Sequence, residues 1–284
     1  MIGSPEDEKR FHTRAVGPDF LCIGAHKAGT TWLYQELKSH PDFWMPPVKE
    51  LHYFDQLSRV KRATDPPWRD ERDRRFLEQL RSLSAEAEIN LENYGRLFEA
   101  KSALLSGDIS PNYSTLTNEV IRQIVRYFPN LKVIFLARDP LERFWSHLSM
   151  EVHYGQIEAF DPTDINEVNR NLSRRGMVLR SYPSAVVTRW KRCVDAERFG
   201  VFFFDDLQSN PAELRRSILY FLGADPEKPG GRLASNQNRW TAMQKLPLTD
   251  SVRSHLATVF AKELKSCAAR LGGPARDWPA RYGL

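Results

Sequence analysis

Two short stretches hold the residues best able to do chemistry. The first is GAHKAGTTW at 24–32, a turn of small residues that encloses Lys27 and runs into Thr30 and Thr31. Before it, Phe20, Leu21, Cys22 and Ile23 read as a buried strand. After it, residues 30–39 read as a helix, with Leu33 and Leu37 four apart and Trp32 beside them. A strand, a tight turn and a helix start leave backbone N–H groups directed at one spot, where an anion is stabilised. The second stretch is VKELHYFD at 48–55, which sets Lys49, Glu50 and His52 among aromatic residues. That density of polar chemistry exceeds what a mere connector needs.

The first stretch fits the phosphate-loop pattern G-x-x-x-x-G-K-[ST] only in part. Gly24, Gly29 and Thr31 match, but Thr30 takes the lysine position and Lys27 lies inside the loop. A triphosphate site uses its lysine on the β/γ-phosphates and its hydroxyl on magnesium. With the lysine displaced, the loop can still cradle one phosphate, and Lys27 can reach the leaving side of a group transferred from it. Arg138 comes directly after the apolar run LKVIFLA, 131–137. An arginine at that strand end suits a second phosphate better than a metal. Ser146 lies on the following helix, roughly 9 Å from Pro140 at ~1.5 Å per residue. The spacing puts it on one face with Arg143 and Glu142, opposite Phe144 and Leu148. Arg138 and Ser146 can therefore hold one phosphate between them.

These residues need a scaffold, and the pattern supplies one. Strands are predicted at 20–23, 43–45, 103–106, 131–137 and 201–204. Helices are predicted at 30–39, 117–128, from Pro140 to about 150, over 182–196, from Asn210-Pro211 to Gly223, and over 249–271. In the last of these Val252, Leu256, Val259, Phe260, Leu264 and Leu271 fall in register. Residues 161–175 read as a polar loop with a weak helical pattern. Alternating strands and helices predict an α/β fold, a central parallel sheet flanked by helices in one P-loop-like domain over 18–284. In such sheets ligands bind at the carboxyl ends of the strands, where each polar cluster falls. Residues 1–17 read as a flexible lead-in. Residues 56–100 read as a helical insertion, with Phe76, Leu77, Leu80 and Leu83 toward a core; it is either a substrate wall or lid or a peripheral helical pair.

The chain has 284 residues and a net charge of +5 with acidic residues mixed throughout, so the composition is not that of a nucleic-acid binder. It suits an anionic cofactor and perhaps an anionic acceptor. Cys22, Cys193 and Cys267 are few and far apart, so neither a disulfide framework nor a zinc spacing is present. This favours a reducing compartment, and Cys22 reads as a core residue. The seven histidines form no close ligand pair, and no metal is expected. No apolar run approaches the ~20 residues needed to span a bilayer, and the N-terminus lacks a signal-peptide core. The expectation is a cytoplasmic protein, or a soluble catalytic domain cut from a longer chain.

From about residue 19 to 223 the chain resembles sulfotransferases that use 3′-phosphoadenosine 5′-phosphosulfate (PAPS). Residues 24–32 are similar to the family's 5′-phosphosulfate loop, and RDPLERFWS at 138–146 to its 3′-phosphate motif. KELHYF at 49–54 resembles a K-E-x-H-F-F segment of the carbohydrate-type members, including heparan sulfate enzymes and bacterial homologues. The resemblance implies a metal-independent transfer of the sulfuryl group to a hydroxyl or amine of a small-molecule or carbohydrate acceptor, leaving adenosine 3′,5′-bisphosphate (PAP). It also implies roles. His26, Lys27, Ala28, Gly29, Thr30 and Thr31 hold the 5′-phosphosulfate, with Lys27 on the bridging oxygen. Trp32 lies near the adenine. Arg138 and Ser146 bind the 3′-phosphate. Glu50 is the general base, His52 orients the acceptor or shares the proton, and Asp108 is a reserve base.

The resemblance has gaps. Ile109 stands where heparan-type enzymes carry a lysine in E-K-[ST]-P-x-Y, which argues against a polyanionic glycan read in the same way. Phe204 replaces the tyrosine of Y-E-D-L. The late basic loop is not recognisable, and Arg232, Asn236, Asn238 and Arg239 are its candidates. The rival reading of the whole chain is a P-loop nucleotide kinase or NTPase. A non-catalytic binding module is a second rival, against which Lys27 and Glu50 count.

Overall fold

Four short parallel strands carry the architecture. β1 (Phe20–Cys22), β2 (Gly107–Ile109), β3 (Lys132–Ala137) and β4 (Phe199–Phe203) lie in the order β2-β1-β3-β4. Phe20 pairs with Gly107 on one side and Lys132 on the other, and Val133 pairs with Phe199. Every residue of β1 and β2, and β3 from Val133 onward, is buried. This is the burial of a parallel sheet covered by helices on both faces. The computed structural model describes residues 16–55, 69–83, 88–230 and 245–284, without the Arg175 side chain. The late-loop candidates Arg232, Asn236, Asn238 and Arg239 lie outside the described residues, as do the lead-in over 1–15 and parts of the insertion.

The helices in chain order are α1 (Thr30–Lys38), α2 (Glu71–Leu83), α3 (Leu91–Arg96), α4 (Asn118–Tyr127), α5 (Pro140–His153), α6 (Ile165–Leu172), α7 (Arg175–Leu179), α8 (Pro183–Lys191), α9 (Phe204–Ser209), α10 (Pro211–Leu222) and α11 (Asp250–Leu271). Local chemistry sets many of the starts. Thr117, Asp139, Asn210 and Thr249 each accept a first-turn N–H at α4, α5, α10 and α11. Pro140 and Pro211 sit at first helical positions, where a missing N–H costs nothing. Arg215 of α10 pairs with buried Glu36 of α1 at 3.3 Å, and α8 packs against both α4 and α11.

Several predicted elements shift. Residues 43–45 form only an isolated bridge, Phe43 to Leu105, because Pro46 and Pro47 follow and cannot extend a ladder. The strand expected at 103–106 begins instead at Gly107. There a Cβ would stand 2.5 Å from the Phe20 ring and carbonyl, so the close approach of β2 to β1 selects glycine. β4 starts at Phe199, two residues early, and runs straight into α9, whose Asp205 and Asp206 favour a helix N-terminus. Helix α8 stops at Lys191, short of the expected 196. Helix α5 continues to His153, and the polar stretch at 161–175 resolves into α6 and the start of α7. On α11, Val252, Leu256, Phe260 and Leu264 are buried as expected, whereas Val259 is 42% exposed and Cys267 joins the core face.

The described part of the insertion supports the 48–55 loop from beneath. Phe76, Leu77, Leu80 and Leu83 are all buried, with Phe76 against Trp44 at 5.7 Å. Tyr94 of α3 stacks on Tyr53 at 5.1 Å and meets Phe54 at 4.5 Å.

Candidate active site

With all strands parallel, the segments after their carboxyl ends share one edge. In the order β2-β1-β3-β4, the chain leaves β1 toward β2 and returns to β3, so β1 and β3 flank the switch point where open α/β sheets bind ligands. The 24–29 loop leaves β1 there, and Arg138 leaves β3.

The loop first continues the sheet. Ile23 N–H donates to Ile134 O at 3.0 Å and Ala25 N–H to Leu136 O at 2.8 Å. It then turns sharply, with Lys27 at φ 69° and Gly29 at φ 93°. Glycine is required at the second position, since a Cβ would lie 2.6 Å from Leu207 Cδ2. Gly29 caps α1 without a side-chain bond, so the first N–H groups of the helix face outward unclaimed by a cap. Thr30 is buried, and Thr31 and Trp32 are half-buried, with Trp32 packed against the core. Burial, then the charges of Arg138, Lys245 and Arg143, lower the Lys27 pKa to about 8. Its ammonium donates to Met150 Sδ at 3.6 Å.

Arg138 locks onto this loop. Its Nη1 donates to Lys27 O at 2.6 Å, and its guanidinium lies 4.3 Å over the Phe204 ring. Its Nε is buried without a partner. A buried guanidinium N–H left unpaired is costly, and an incoming phosphate oxygen would satisfy it. Burial lowers the Arg138 pKa, and Glu142, whose carboxylate stands 3.7 Å from Nη2, opposes that fall. Ser146 is half-buried on α5 in a stripe with Glu142 and Met150, each four residues apart. Arg143 does not share that face. It is fully buried, with Nε and Nη2 donating to Ser181 Oγ at 2.9 and 2.7 Å and Nη2 to Met177 O at 2.9 Å. Its partners come from the α7–α8 region, which the helical period of α5 does not reveal.

The second cluster lies across the loop. Glu50 and His52 both have left-handed backbone, φ 64° and 56°. Lys49 Nζ donates to Glu50 Oε1. His52 Nε2 stands 3.4 Å from Glu50 Oε2, and its Nδ1–H donates to Asp55 at 3.1 Å. Burial alone would raise the Glu50 pKa, but His52 and Lys49 outweigh it and bring it down to about 2. Burial alone would lower His52, but Asp55 and Glu50 outweigh it and raise it to about 9. At neutral pH Glu50 is therefore a carboxylate and His52 an imidazolium.

His26 connects the two clusters. Its Nε2–H donates to Asn112 Oδ1 at 2.8 Å, the oxygen that also accepts Arg180 Nε at 2.9 Å. The ring stacks on His147 at 5.7 Å. Arg143 Nη1 donates to His147 Nδ1 at 3.3 Å, and His147 Nε2–H faces Glu151 at 3.2 Å, so that ring is neutral. Burial first, with the neighbouring cations, holds His147 down at about 2; burial lowers His26 to about 4.

Asn112, Arg180 and Asp55 join the site although sequence alone assigns none of them a role; Asp55 lies in the 48–55 stretch. Asn112 had a signal in the S-P-N-Y run after β2, whereas Arg180 had none. Asp108, the reserve base, is 1% exposed and its carboxylate accepts from Ser110, Tyr94 and Tyr113 at 2.7, 3.1 and 2.7 Å. It cannot reach an acceptor. Among the described residues no group of His, Cys, Asp and Glu could hold a metal ion, and no helix is long and apolar enough to cross a membrane.

These features define a parallel α/β protein with Lys27, Arg138 and a helix start gathered at its switch point, and comparison with known proteins agrees on the fold. A family model described as the sulfotransferase family matches residues 18–228. The chain belongs to the sulfotransferase family. A sulfotransferase from Alicyclobacillus acidocaldarius superposes with a TM-score of 0.65 at 22% identity, covering 92% of this chain and 98% of that one. A sulfotransferase domain from the curacin biosynthetic pathway gives 0.53 at 18% identity, covering 86% and 98%. A mouse sulfotransferase solved in complex with PAP gives 0.50 at 13%, covering 95% and 94%. At those identities the likeness speaks for the fold. The membrane-associated sulfotransferase kil1 of Dictyostelium discoideum is 27% identical over 141 residues, 48% of this chain; the chain spans 24% of that relative's length. The kinase or NTPase reading is not favoured.

Proposed function

We propose that the protein transfers the sulfuryl group of PAPS to a hydroxyl or amine of a small-molecule or carbohydrate acceptor, in line and without a metal. The observation that carries this reading is Arg138. Its guanidinium is buried, tied to the Lys27 carbonyl, and keeps one N–H unpaired at the switch point. That is a fit for a nucleotide with a second phosphate, and the neighbouring Lys27 fits the charge of the first.

PAPS supplies an activated sulfuryl group with PAP as the leaving group. The chain's residues do the rest. The N–H groups of Gly29, Thr30 and Thr31, with the two threonine hydroxyls, hold the 5′-phosphate; the Ala28 N–H already donates to Ala25 O at 3.2 Å, so Ala28 borders the phosphate with His26 instead of donating to it. Lys27 neutralises charge growing on the leaving oxygen, where a fixed cation in a dry site acts strongly. Arg138 and Ser146 bind the 3′-phosphate, and Trp32 borders the base. Glu50 takes the acceptor proton. Its low basicity suits a late proton transfer, because an acceptor oxygen becomes acidic only as its bond to sulfur forms. His52, charged between Glu50 and Asp55, fixes the carboxylate and orients the acceptor.

The acceptor walls would come from residues 48–55, the insertion and the 150–182 segment. Tyr53, Phe54 and Tyr94 are buried in the core, so exposed Tyr154 with Arg180, His153 and Glu151 supplies the aromatic and polar mixture, which suits a sugar or a polar aromatic compound. The test is isothermal calorimetry with PAP in EDTA, followed by an acceptor screen with 35S-labelled PAPS. Micromolar PAP binding without magnesium and label transfer to a hydroxyl compound are expected. Binding of Mg-ATP in preference to PAP would overturn the assignment.

A further inference from the structure

Glu50 and His52 both occupy a backbone region that non-glycine residues rarely adopt. Such conformations persist only where the surroundings over-determine them. Here four consecutive N–H groups are claimed by β2 and the segment that follows it. Glu50 N–H donates to Ile109 O at 3.2 Å. His52 N–H donates to Ser110 Oγ at 3.3 Å, and Tyr53 N–H to the Tyr113 hydroxyl at 3.0 Å. The Leu51 N–H faces the Asp108 carboxylate itself. Ser110 and Tyr113 each have one hydroxyl proton, and both give it to Asp108, at 2.7 Å in each case. Their lone pairs are thereby left for the loop N–H groups. Tyr94 adds a third hydroxyl at 3.1 Å and ties α3 to the same carboxylate.

We propose that Asp108 is a positioning residue for the reaction, which sets the direction of the Ser110 and Tyr113 hydroxyls and so holds residues 50–53 in the conformation that brings Glu50 and His52 together. This rests on the sulfotransferase reading for its catalytic meaning, but not for its geometry. The carboxylate matters rather than its volume, since it is the one group there that can accept from every donor around it and donate to none. Burial raises the Asp108 pKa, while the hydroxyl donors oppose that rise. An amide at this position would present an NH2 group to one of the hydroxyls. That hydroxyl would have to reverse, and its loop N–H would lose its acceptor.

The variants are Asp108→Asn, and Ser110→Ala and Tyr113→Phe, which each remove one arm without placing a new donor in the core. The readout is the His52 titration followed by NMR of the ring Cε1–H, with PAP affinity measured on the same samples. The groups facing His52 are Glu50 and Asp55, with Lys49 acting through Glu50. In the parent protein His52 is expected to titrate near 9. In each variant its midpoint should fall by a unit or more toward the ordinary histidine value, with kcat reduced at least tenfold and the Kd for PAP within twofold. Asp108→Glu should recover part of the His52 shift. A parent midpoint at the ordinary value overturns the proposal. So does an unchanged midpoint in folded Asp108→Asn or, should that variant not fold, in Ser110→Ala and Tyr113→Phe. A parent protein that does not bind PAP would instead defeat the sulfotransferase reading, while the His52 shift would still report on the positioning.

Discussion

Lys27 offers a direct test through pH alone. Burial, Arg138, Lys245 and Arg143 bring its pKa down to about 8, against 10.5 for an ordinary lysine. A multiply charged anion beside it would restore the proton, so the bound and free forms differ in protonation. With a free pKa near 8 and a bound value at or above the ordinary one, affinity for PAP should fall roughly twentyfold between about pH 7.5 and pH 9.5. Phosphate monoesters have finished their second ionisation near pH 6, so the ligand's own charge is constant across that window. Calorimetry in two buffers of different ionisation enthalpy should show net proton uptake on binding, about half a proton near pH 8. His52 also loses its proton toward the top of the range, so Lys27→Ala is the control: it should bind more weakly at pH 7.5 and lose most of the slope. A constant affinity across the window would refute this account of Lys27, as would an unchanged slope in Lys27→Ala.

Arg138→Ala should cost PAP about 10- to 100-fold in affinity, the loss of a charge-assisted hydrogen-bonding partner worth ~1.5–3 kcal/mol. Adenosine 5′-monophosphate, which lacks the 3′-phosphate, should lose less by calorimetry, since it feels only the release of the Lys27 carbonyl; equal losses for both ligands would move Arg138 out of the 3′ site. Glu50→Gln should lower kcat by about 100-fold or more while leaving the Kd for PAP within a factor of about two, since a general base contributes on that scale. Stability should also depend on His52. Its pKa is raised in the folded protein to about 9 from 6.5, so its contribution is complete below about 6.5 and is lost as pH rises through about 9. Urea melts of the parent and Asp55→Asn should converge across that interval. Gly29→Ala forces a side chain into left-handed backbone against Leu207 and should cost about 1–3 kcal/mol in the same assay.

Much of the fold was legible because its signals are local. Apolar runs marked β1 and β3, apolar periodicity marked α4 and α11, a first-turn proline or cap marked α5 and α10, and alternation of the elements implied parallel pairing. Some misplaced elements have a tertiary cause. The apolar run at 103–106 outshone Gly107-Asp108-Ile109, a strand whose glycine fits against Phe20 and whose aspartate accepts hydrogen bonds from the hydroxyls of three residues. Periodicity put Arg143 beside Ser146, but nothing near Arg143 in sequence announces Ser181 and Met177, which bury it.

The same division runs through the candidate site. Sequence alone determined which groups are available and after which strand each falls: Lys27 in a small-residue turn after β1, Arg138 after β3, Glu50 and His52 in one polar loop. Those are matters of residue type and spacing, and they survive any error in element boundaries. Only the tertiary structure decided how the groups meet. His26 meets Asn112 across 86 positions of chain, and Arg138 meets the Lys27 carbonyl across 111. Strand order creates those contacts, and strand order is not encoded in any one window. The left-handed backbone at Glu50 and His52 is likewise a property of the assembly, held by N–H acceptors about sixty residues away that no local preference would supply.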